Sequence, residues 1–328
     1  MTDQVLDETL LTHGSTSPFL PGTKIQYAWD STCLGLIKTC PRLYEYTIID
    51  GWSSKSESIH LRFGIEFHAA LEAYDHAIAN GANHEAAVHS TVAESIRRTN
   101  DWNPDPTTKA GKYKNRNTLL SLVVDYLDHF VDDHCETYIK SDGTAAVELS
   151  FRFELDWGPE ADNDTHQPYL LSGHLDRVVS FNDQLFVMDH KTTTTTPGDY
   201  YFDGFEPHNQ MTLYTLAGQV VLNAPIRGVI ISAAQILLTQ PNRFVRGFTY
   251  RTQDQLDEWL LDLRIWLDHA EAYANANYWP MNDTACDKFG GCKFRGICSK
   301  SPDVREMFLK TDFIQLSEDE KWNPLRSR

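Results

Sequence analysis

Asp176, Asp189 and Lys191 lie within one stretch of mostly strand-forming residues, Leu171 to Thr193. Asn182 and Asp183 divide this stretch into two runs, and such a pair is typical of a tight hairpin turn. Because successive side chains of a strand point to opposite faces, Asp189 and Lys191 should share a face. A hairpin that closes at this turn carries Asp176 towards Asp189, since the two aspartates are nearly equidistant from it.

Two carboxylates and an ammonium group have a known chemical use when they lie together. Carboxylate oxygens are preferred ligands of Mg²⁺ or Mn²⁺, and such an ion polarises a phosphate and lowers the pKa of a bound water. The ammonium group of Lys191 would orient that water or stabilise developing negative charge. An ordinary ion pair on a solvated strand face explains the same residues equally well. The hairpin alone therefore leaves both interpretations open.

A histidine lies on the helix that the apolar pattern predicts over Ser58–Asn80. His68 is beside the apolar stripe of this helix, and Glu72 follows one turn later. A single histidine in such a place is more often a hydrogen-bonded structural group than a metal ligand, so its role also stays open here. The stripe that should be buried comprises Phe63, Phe67, Leu71, Tyr74 and Ile78.

The remaining periodicity predicts an α/β fold. Helices are expected at Asn83–Arg98, Asn117–Ile139 (with Cys135 on it), Pro207–Leu222 and Thr252–Tyr278, and strands at Ala146–Leu155, in the hairpin, and at Arg227–Thr239 and Arg243–Arg251. The order of these elements predicts a mixed central sheet of about five strands flanked by helices, with a helical insertion before it. The helix at Pro207–Leu222 should connect the third and fourth strands as a crossover.

The domain organisation follows from the same pattern. Residues 1–24 show no periodicity and are predicted to form a flexible arm. A single domain is predicted over residues 25–300, with a helical part at 55–140, a core at 145–251, and a C-terminal helix with a cysteine cluster at 252–300. Residues 301–328 are predicted to be a tail.

Composition and charge restrict the class of protein. Hydrophobic residues at 41% and charged residues at 23% are typical of a soluble globular protein. No apolar run is long enough to cross a membrane and the N-terminal stretch is acidic, so a cytoplasmic protein with no membrane partner is expected.

The net charge of −17 is unfavourable for binding nucleic acid, although it does not exclude a local basic groove. Two basic clusters would supply such a groove: Lys109, Lys112, Lys114 and Arg116 form one, and Arg243, Arg246 and Arg251 form the other.

Three cysteines are evenly spaced near the C-terminus, at Cys286, Cys292 and Cys298. They are one short of the four thiolates that a [4Fe–4S] cluster commonly takes, and either Cys40 or Cys33 would complete the set. Zinc is the alternative metal, but its structural sites usually show closer cysteine pairs. Three free thiols without a metal are the remaining interpretation. A shared metal would connect the N-terminal and C-terminal regions as a clasp.

Taken together, the motifs resemble the RecB-like branch of the PD-(D/E)XK nuclease superfamily, in particular its iron–sulfur members such as the AddB nuclease domain and the CRISPR-adaptation exonucleases. The resemblance extends over nearly the whole chain. In order, the motifs are CPRLYEY at Cys40–Tyr46, FGIEFHAALE at Phe63–Glu72, GHLD at Gly173–Asp176, DHK at Asp189–Lys191, QMTLY at Gln210–Tyr214, and the three C-terminal cysteines.

The resemblance implies a role for individual residues. The implied metal ligands are His68, Asp176, Asp189 and the main-chain carbonyl of His190, with Lys191 as the catalytic lysine beside Asp176 and Asp189. Gln210 and Tyr214 are the implied nucleic-acid contacts, and Cys40, Cys286, Cys292 and Cys298 the implied ligands of the [4Fe–4S] cluster. The acidic residue of DHK is Asp189 where the family often has glutamate. Glu148 is a further acidic candidate whose place the sequence does not secure.

The implied fold is a restriction-endonuclease-like core, and the implied activity is Mg²⁺- or Mn²⁺-dependent hydrolysis of DNA, as an exonuclease that prefers single strands or DNA ends. The implied pathways are DNA repair, recombination or CRISPR adaptation, with helicase, recombination or CRISPR-adaptation proteins as partners. Any unwinding must come from a helicase partner, because the chain has no GxxxxGK[ST] loop. The alternative is a subunit of such a complex that binds nucleic acid without cleaving it.

Overall fold

The computed structural model describes residues 17–160, 167–287 and 291–326. In chain order, the strands are β1 (Ala28–Trp29), β2 (Trp52–Ser54), β3 (Glu136–Thr137), β4 (Val147–Glu154), β5 (Leu170–Phe181), β6 (Gln184–Thr193), β7 (Ile226–Gln235), β8 (Arg243–Tyr250) and β9 (Phe313–Gln315). The helices are α1 (Ser31–Thr39), α2 (Pro41–Tyr44), α3 (Ile59–Ala79), α4 (His84–Arg98), α5 (Lys109–Tyr113), α6 (Arg116–His129), α7 (Asp199–Asp203), α8 (Asn209–Leu222), α9 (Gln253–Asn275), α10 (Arg295–Cys298) and α11 (Arg305–Asp312).

The chain forms two compact units. The first comprises Met1–Ser53, Arg152–Gly173 and Arg264–Arg328, and the second comprises Ser54–Phe151 and His174–Leu263. Within the described residues, no helix is both long and apolar enough to cross a membrane.

A mixed sheet carries the second unit, as the sequence predicts. Strand β5 pairs with β6 in antiparallel fashion, β6 with β7 in parallel fashion, and β7 with β8 again in antiparallel fashion. The five long strands are β4 to β8, and the short β3 also pairs with β5. Because β6 and β7 are parallel neighbours, the chain must cross over between them, and α8 is the predicted crossover helix. The α/β fold with about five sheet strands flanked by helices is confirmed.

Helices α3 and α6 cover the end of this sheet where β7 finishes. Their apolar faces meet Ala234 and Ile236 in one cluster, which contains Phe63, Phe67, Ala70, Leu71, Leu119, Leu122, Val123, Tyr126 and Leu127. The Ser58 side chain caps α3 by accepting a hydrogen bond from the Leu61 N–H. The predicted stripe on α3 is therefore buried over its first three members, whereas Ile78, near the end of the helix, is 40% exposed.

The helix predicted over Asn117–Ile139 is shorter in the structure, where α6 ends at His129. Cys135 lies beyond it, in the segment that leads into β3, and is buried with Val179 and Phe186. Between α6 and β3, the carboxylate of Asp133 accepts a hydrogen bond from the Cys135 N–H and two hydrogen bonds from the guanidinium of Arg246. Aspartate side chains that bond nearby main-chain groups favour turns over helix.

In the first unit, the N- and C-terminal parts of the chain are folded together. Strand β1 pairs in parallel with the first residues of β5, and β2 pairs with β9. Residues 1–16 of the predicted arm lie outside the described residues, but Leu20, from the remainder of that arm, is buried. Trp322, in the predicted tail, donates a hydrogen bond to the buried carboxylate of Asp30.

Candidate active site

The hairpin of β5 and β6 turns at the two residues that the sequence indicates. Asn182 and Asp183 have φ values of 50° and 59°, the left-handed conformations that a tight two-residue turn requires. The register pairs Phe181 with Gln184 and continues to Arg177 and Met188. Going away from the turn, the next residue of β5 is Asp176, which therefore lies beside the start of the DHK motif.

Asp176 receives contacts from two different elements at one carboxylate oxygen. Its Oδ2 accepts a hydrogen bond of 3.0 Å from the main-chain N–H of His190 on β6. Nδ1 of His68, on α3, lies 3.2 Å from the same oxygen. The structure thus brings together His68 and Asp176, which are 108 positions apart by their numbers.

Glu148 joins this pair from strand β4. One ligand atom from each of His68, Glu148 and Asp176 lies within 4.8 Å of the others. Glu148, the second residue of β4, adopts a φ of 46°, a strained conformation for a residue that is not glycine. Strain of this kind persists only where the surrounding structure enforces it, and here it accompanies the placement of the carboxylate near Asp176.

Asp189 and Lys191 form a second, adjacent group, and both point to the side of β6 where α8 lies. Nζ of Lys191 donates hydrogen bonds to Oδ1 of Asp189 (3.0 Å) and to Oε1 of Gln210 on α8 (3.1 Å). The Gln210 amide in turn donates to the hydroxyl of Tyr214, 3.1 Å away and one helical turn later. These four residues therefore form one connected chain of hydrogen bonds.

The two buried aspartates have pKa values displaced in opposite directions. Burial acts to raise the pKa of Asp176, but the charge and the hydrogen bond of His68 outweigh burial and hold that pKa well below its usual range. The pKa of Asp189 is raised, because burial and the charge of Asp176 outweigh the ammonium of Lys191. Burial lowers the pKa of His68, yet Asp176 raises it further, so the net shift is upwards. The imidazolium form of His68 and the carboxylate form of Asp176 thus stabilise each other.

The side chain of His190 lies on the face of β6 opposite Asp189 and Lys191, as the alternation of a strand requires, and its ring centre is 6.1 Å from that of His68. Nδ1 of its ring lies 3.2 Å from the hydroxyl of Tyr126, which also contacts Ser232 at 2.7 Å. Burial lowers the pKa of His190 to about 3. The imidazole is therefore neutral near pH 7 and serves to pack the strand, while its main-chain groups remain on the Asp176 side.

The donors present fit a divalent cation. The carboxylates of Glu148 and Asp176 and the imidazole of His68 come together, and Asp189, paired with Lys191 at 2.7 Å, supplies a third carboxylate beside them. Hard oxygen donors suit Mg²⁺ and Mn²⁺, whose ligand atoms lie about 2.1 Å from the ion.

A second cavity, in the first unit, collects the predicted cluster cysteines. Cys40, Cys286, Cys292 and Cys298 all line it, together with Tyr46 and Phe294. Cys33 does not: it is buried beside Asp30, whose side chain accepts a hydrogen bond from the Cys33 N–H. Within the described ranges, no three of these sulfurs lie within 4.8 Å of one another.

Two residues at or near the site are not assigned to it by any local sequence pattern. Glu148 is marked only by its place on the polar side of an alternating strand, which many surface glutamates share. Tyr201, on α7, is the second: burial and the charge of Asp189 raise its pKa to about 12. Its hydroxyl is therefore within electrostatic reach of the site, and no local pattern signals that.

Comparison with known proteins gives a family and weak structural likenesses. Residues 32–299 match the family model of the PD-(D/E)XK nuclease superfamily. A crystal structure of a protein from Eubacterium rectale, described provisionally as an exonuclease, has 11% sequence identity and a TM-score of 0.47, covering 80% of this chain and 86% of its own. The structure of SSO0001 has 11% identity and a TM-score of 0.29, covering 63% of this chain and 80% of its own. No curated protein matches the chain.

The family match spans most of the chain and includes the DHK and GHLD segments around which the site is built. The chain therefore belongs to the PD-(D/E)XK nuclease superfamily.

Proposed function

We propose that the protein is a Mg²⁺- or Mn²⁺-dependent deoxyribonuclease that acts at the site around Asp176 and Asp189. The observation that carries this proposal is the convergence of His68, Glu148 and Asp176 within 4.8 Å, next to the Asp189–Lys191 pair.

Each side chain would have a defined task in hydrolysis. His68, Glu148, Asp176 and Asp189 would hold the ion, with the main-chain carbonyl of His190 as a further ligand. When bound, that ion supplies Lewis-acid polarisation of the phosphate and a water of lowered pKa. Lys191 would position the attacking water or stabilise the charge that develops on the phosphate.

Gln210 holds the ammonium group of Lys191 from α8, and Tyr214 fixes the amide of Gln210 in turn. Both residues would also contact the strand that is cut. We infer exonuclease action on single strands or DNA ends from the resemblance of the motifs, and the same resemblance implies helicase, recombination or CRISPR-adaptation proteins as partners.

A cleavage assay tests the activity. Purified protein is incubated with end-labelled single- and double-stranded oligodeoxynucleotides in Mg²⁺, in Mn²⁺ and in EDTA. We expect cleavage with either ion and none in EDTA, with single-stranded ends preferred. Binding without cleavage under all three conditions would instead identify a non-catalytic nucleic-acid-binding subunit.

We also propose that Cys40, Cys286, Cys292 and Cys298 bind a [4Fe–4S] cluster. All four cysteines line one cavity, and four thiolates are the set that such a cluster commonly takes. Zinc is the alternative occupant of the same four thiolates. The charges of Arg42 and Arg305 near Cys298 would offset the negative charge of such a group.

Metal analysis of the purified protein tests this second proposal. A cluster predicts iron and acid-labile sulfide in equal amounts and a visible absorbance near ~400 nm. A colourless protein that contains stoichiometric zinc would refute it.

A further inference from the structure

A serine and a histidine lie beside the candidate site, on the paired strands β4 and β5. Oγ of Ser150, on β4, is 3.0 Å from Nδ1 of His174, on β5. Ser150 is exposed and His174 is half-buried, so solvent reaches this pair. Neither residue has a role in the mechanism proposed above.

The two strands place this pair directly next to the proposed ion ligands. Asp176 and His174 are two residues apart on β5, so their side chains share a face and their Cα atoms are about 6.6 Å apart. On β4, Glu148 approaches Asp176 and Ser150 approaches His174, again two residues apart. The serine–histidine pair is therefore the next row along the strands from the row that contains Glu148 and Asp176.

Along these strands, the ion site is closed on one side and open on the other. Towards the hairpin turn, the next row consists of Ala146, just before β4, and Val178, whose N–H donates to the Ala146 carbonyl at 2.8 Å. Both of these side chains are fully buried. Away from the turn, the next row is Ser150 and His174. A nucleic-acid strand held at the ion site therefore has room on the side of the serine–histidine pair.

The pair has donors that suit a phosphate. A serine hydroxyl and an imidazole can both donate hydrogen bonds, and polar side chains of this kind supply many contacts to the phosphates of nucleic acids. The two rows are about 6.6 Å apart along the strands, which is about the distance between successive phosphates of one nucleic-acid strand. An ion-bound scissile phosphate would thus place its neighbour at Ser150 and His174.

We propose that Ser150 and His174 bind the phosphate next to the scissile one in the substrate strand. The proposal rests on the function proposed above. It makes the two side chains substrate-binding groups that take no part in bond cleavage.

Four variants separate this role from a structural one. His174→Leu removes the ring nitrogens, His174→Gln keeps a side-chain N–H donor, and Ser150→Ala removes the hydroxyl. His89→Leu is the control, since His89 is exposed on α4. Each is made in a Lys191→Met background, so that a fluorescein-labelled single-stranded oligodeoxynucleotide is cut slowly while its binding in Mn²⁺ is followed by anisotropy.

We expect His174→Leu to weaken binding about 10-fold, the effect of losing one hydrogen bond to a charged group. Ser150→Ala should weaken it by a similar factor, His174→Gln should retain most of the affinity, and His89→Leu should bind like the parent protein. A single methylphosphonate, which removes the charge of one phosphate, is then moved along the oligonucleotide. Next to the first bond that the wild-type protein cuts, it should weaken binding by the parent but have no further effect on His174→Leu.

Unchanged affinity in His174→Leu and Ser150→Ala would overturn the inference. Equal sensitivity of the parent and His174→Leu to the methylphosphonate at every position would also overturn it, because a structural defect weakens all contacts alike. The nuclease proposal is judged separately, by cleavage with the wild-type protein in Mn²⁺. Wild-type cleavage together with normal binding by His174→Leu and Ser150→Ala would refute only the role of this pair.

Discussion

Replacing Lys191 with methionine separates catalysis from metal binding most directly. Nζ of Lys191 contacts both oxygens of Asp189, at 3.0 and 2.7 Å, and Oε1 of Gln210 at 3.1 Å. Lys191→Met keeps the bulk of the side chain but removes the cation that would face the developing charge on the phosphate. We therefore expect the cleavage rate to fall while the metal ligands stay in place.

The size of the effect follows from the surroundings of Lys191. A single donor aimed at developing charge in a buried site contributes about 10²- to 10³-fold in rate, or about 2.7–4 kcal/mol. The side chain of Asp189 is only 2% exposed, so the loss of its cation also destabilises the metal-free protein, by at most about 3–5 kcal/mol. Protonation of Asp189, whose pKa is already raised, limits that loss.

Single-turnover cleavage in Mn²⁺ and thermal unfolding with and without Mn²⁺ measure the two effects. The variant should cut about 10²- to 10³-fold more slowly, melt at a lower temperature in EDTA, and regain stability in Mn²⁺, because the ion replaces the lost positive charge near Asp189. Lys140→Met is the control, since Lys140 forms only a surface ion pair with Asp142, which contributes little to stability. A cleavage rate within threefold of the wild type would refute the assigned role of Lys191.

Three further variants test the remaining assignments. Glu148→Gln should raise the Mn²⁺ concentration needed for half-maximal cleavage at least 10-fold and recover activity at high Mn²⁺. Glu72→Gln, on α3, should leave that Mn²⁺ concentration unchanged. The same Mn²⁺ dependence in both variants would remove Glu148 from the site. Cys292→Ser should abolish the ~400 nm absorbance and lower the melting temperature, while Cys135→Ser should keep its colour; a coloured Cys292→Ser protein would contradict the ligand set. Burial raises the pKa of Glu45 to about 7, so the folded state binds the proton more tightly than the unfolded chain, and the free energy of unfolding of the wild type should decline as pH rises from about 4.5 to 7. Glu45→Gln should flatten this decline in urea titrations. Equal pH dependence of the free energy of unfolding in variant and wild type would contradict that cause.

Much of the fold could be predicted because it depends on local patterns. The apolar stripe and the serine cap of α3, the alternation along β4, and the Asn182–Asp183 turn each act over a few residues. The turn determines the register of the hairpin, and the register brings Asp176 to the DHK motif. For α6, the same reasoning predicted a helix that was too long, since the helix ends at His129 and the segment beyond it is held by contacts of Asp133 with Arg246 on β8, which no local pattern records.

The choice between Cys33 and Cys40 is one that patterns within a single segment cannot make. Cys33 and Cys40 would lie on one face of a continuous helix, so the sequence left both as candidates. In the structure, α1 ends before Cys40, which has an extended backbone with φ of −163° and ψ of 115°. Cys40 therefore faces the cavity of the three C-terminal cysteines, while Cys33 remains in the helix and faces the interior.

By itself, the sequence determined the secondary structure around the site and the chemical types of the residues on the hairpin, since both depend on neighbours within a few positions. Only the tertiary structure decided that Glu148 approaches His68 and Asp176, and that Ser150 contacts His174. These contacts join residues separated by 24 to 80 positions by their numbers. They depend on how strands pair and how helices pack on a sheet, and no periodicity within one segment records that packing.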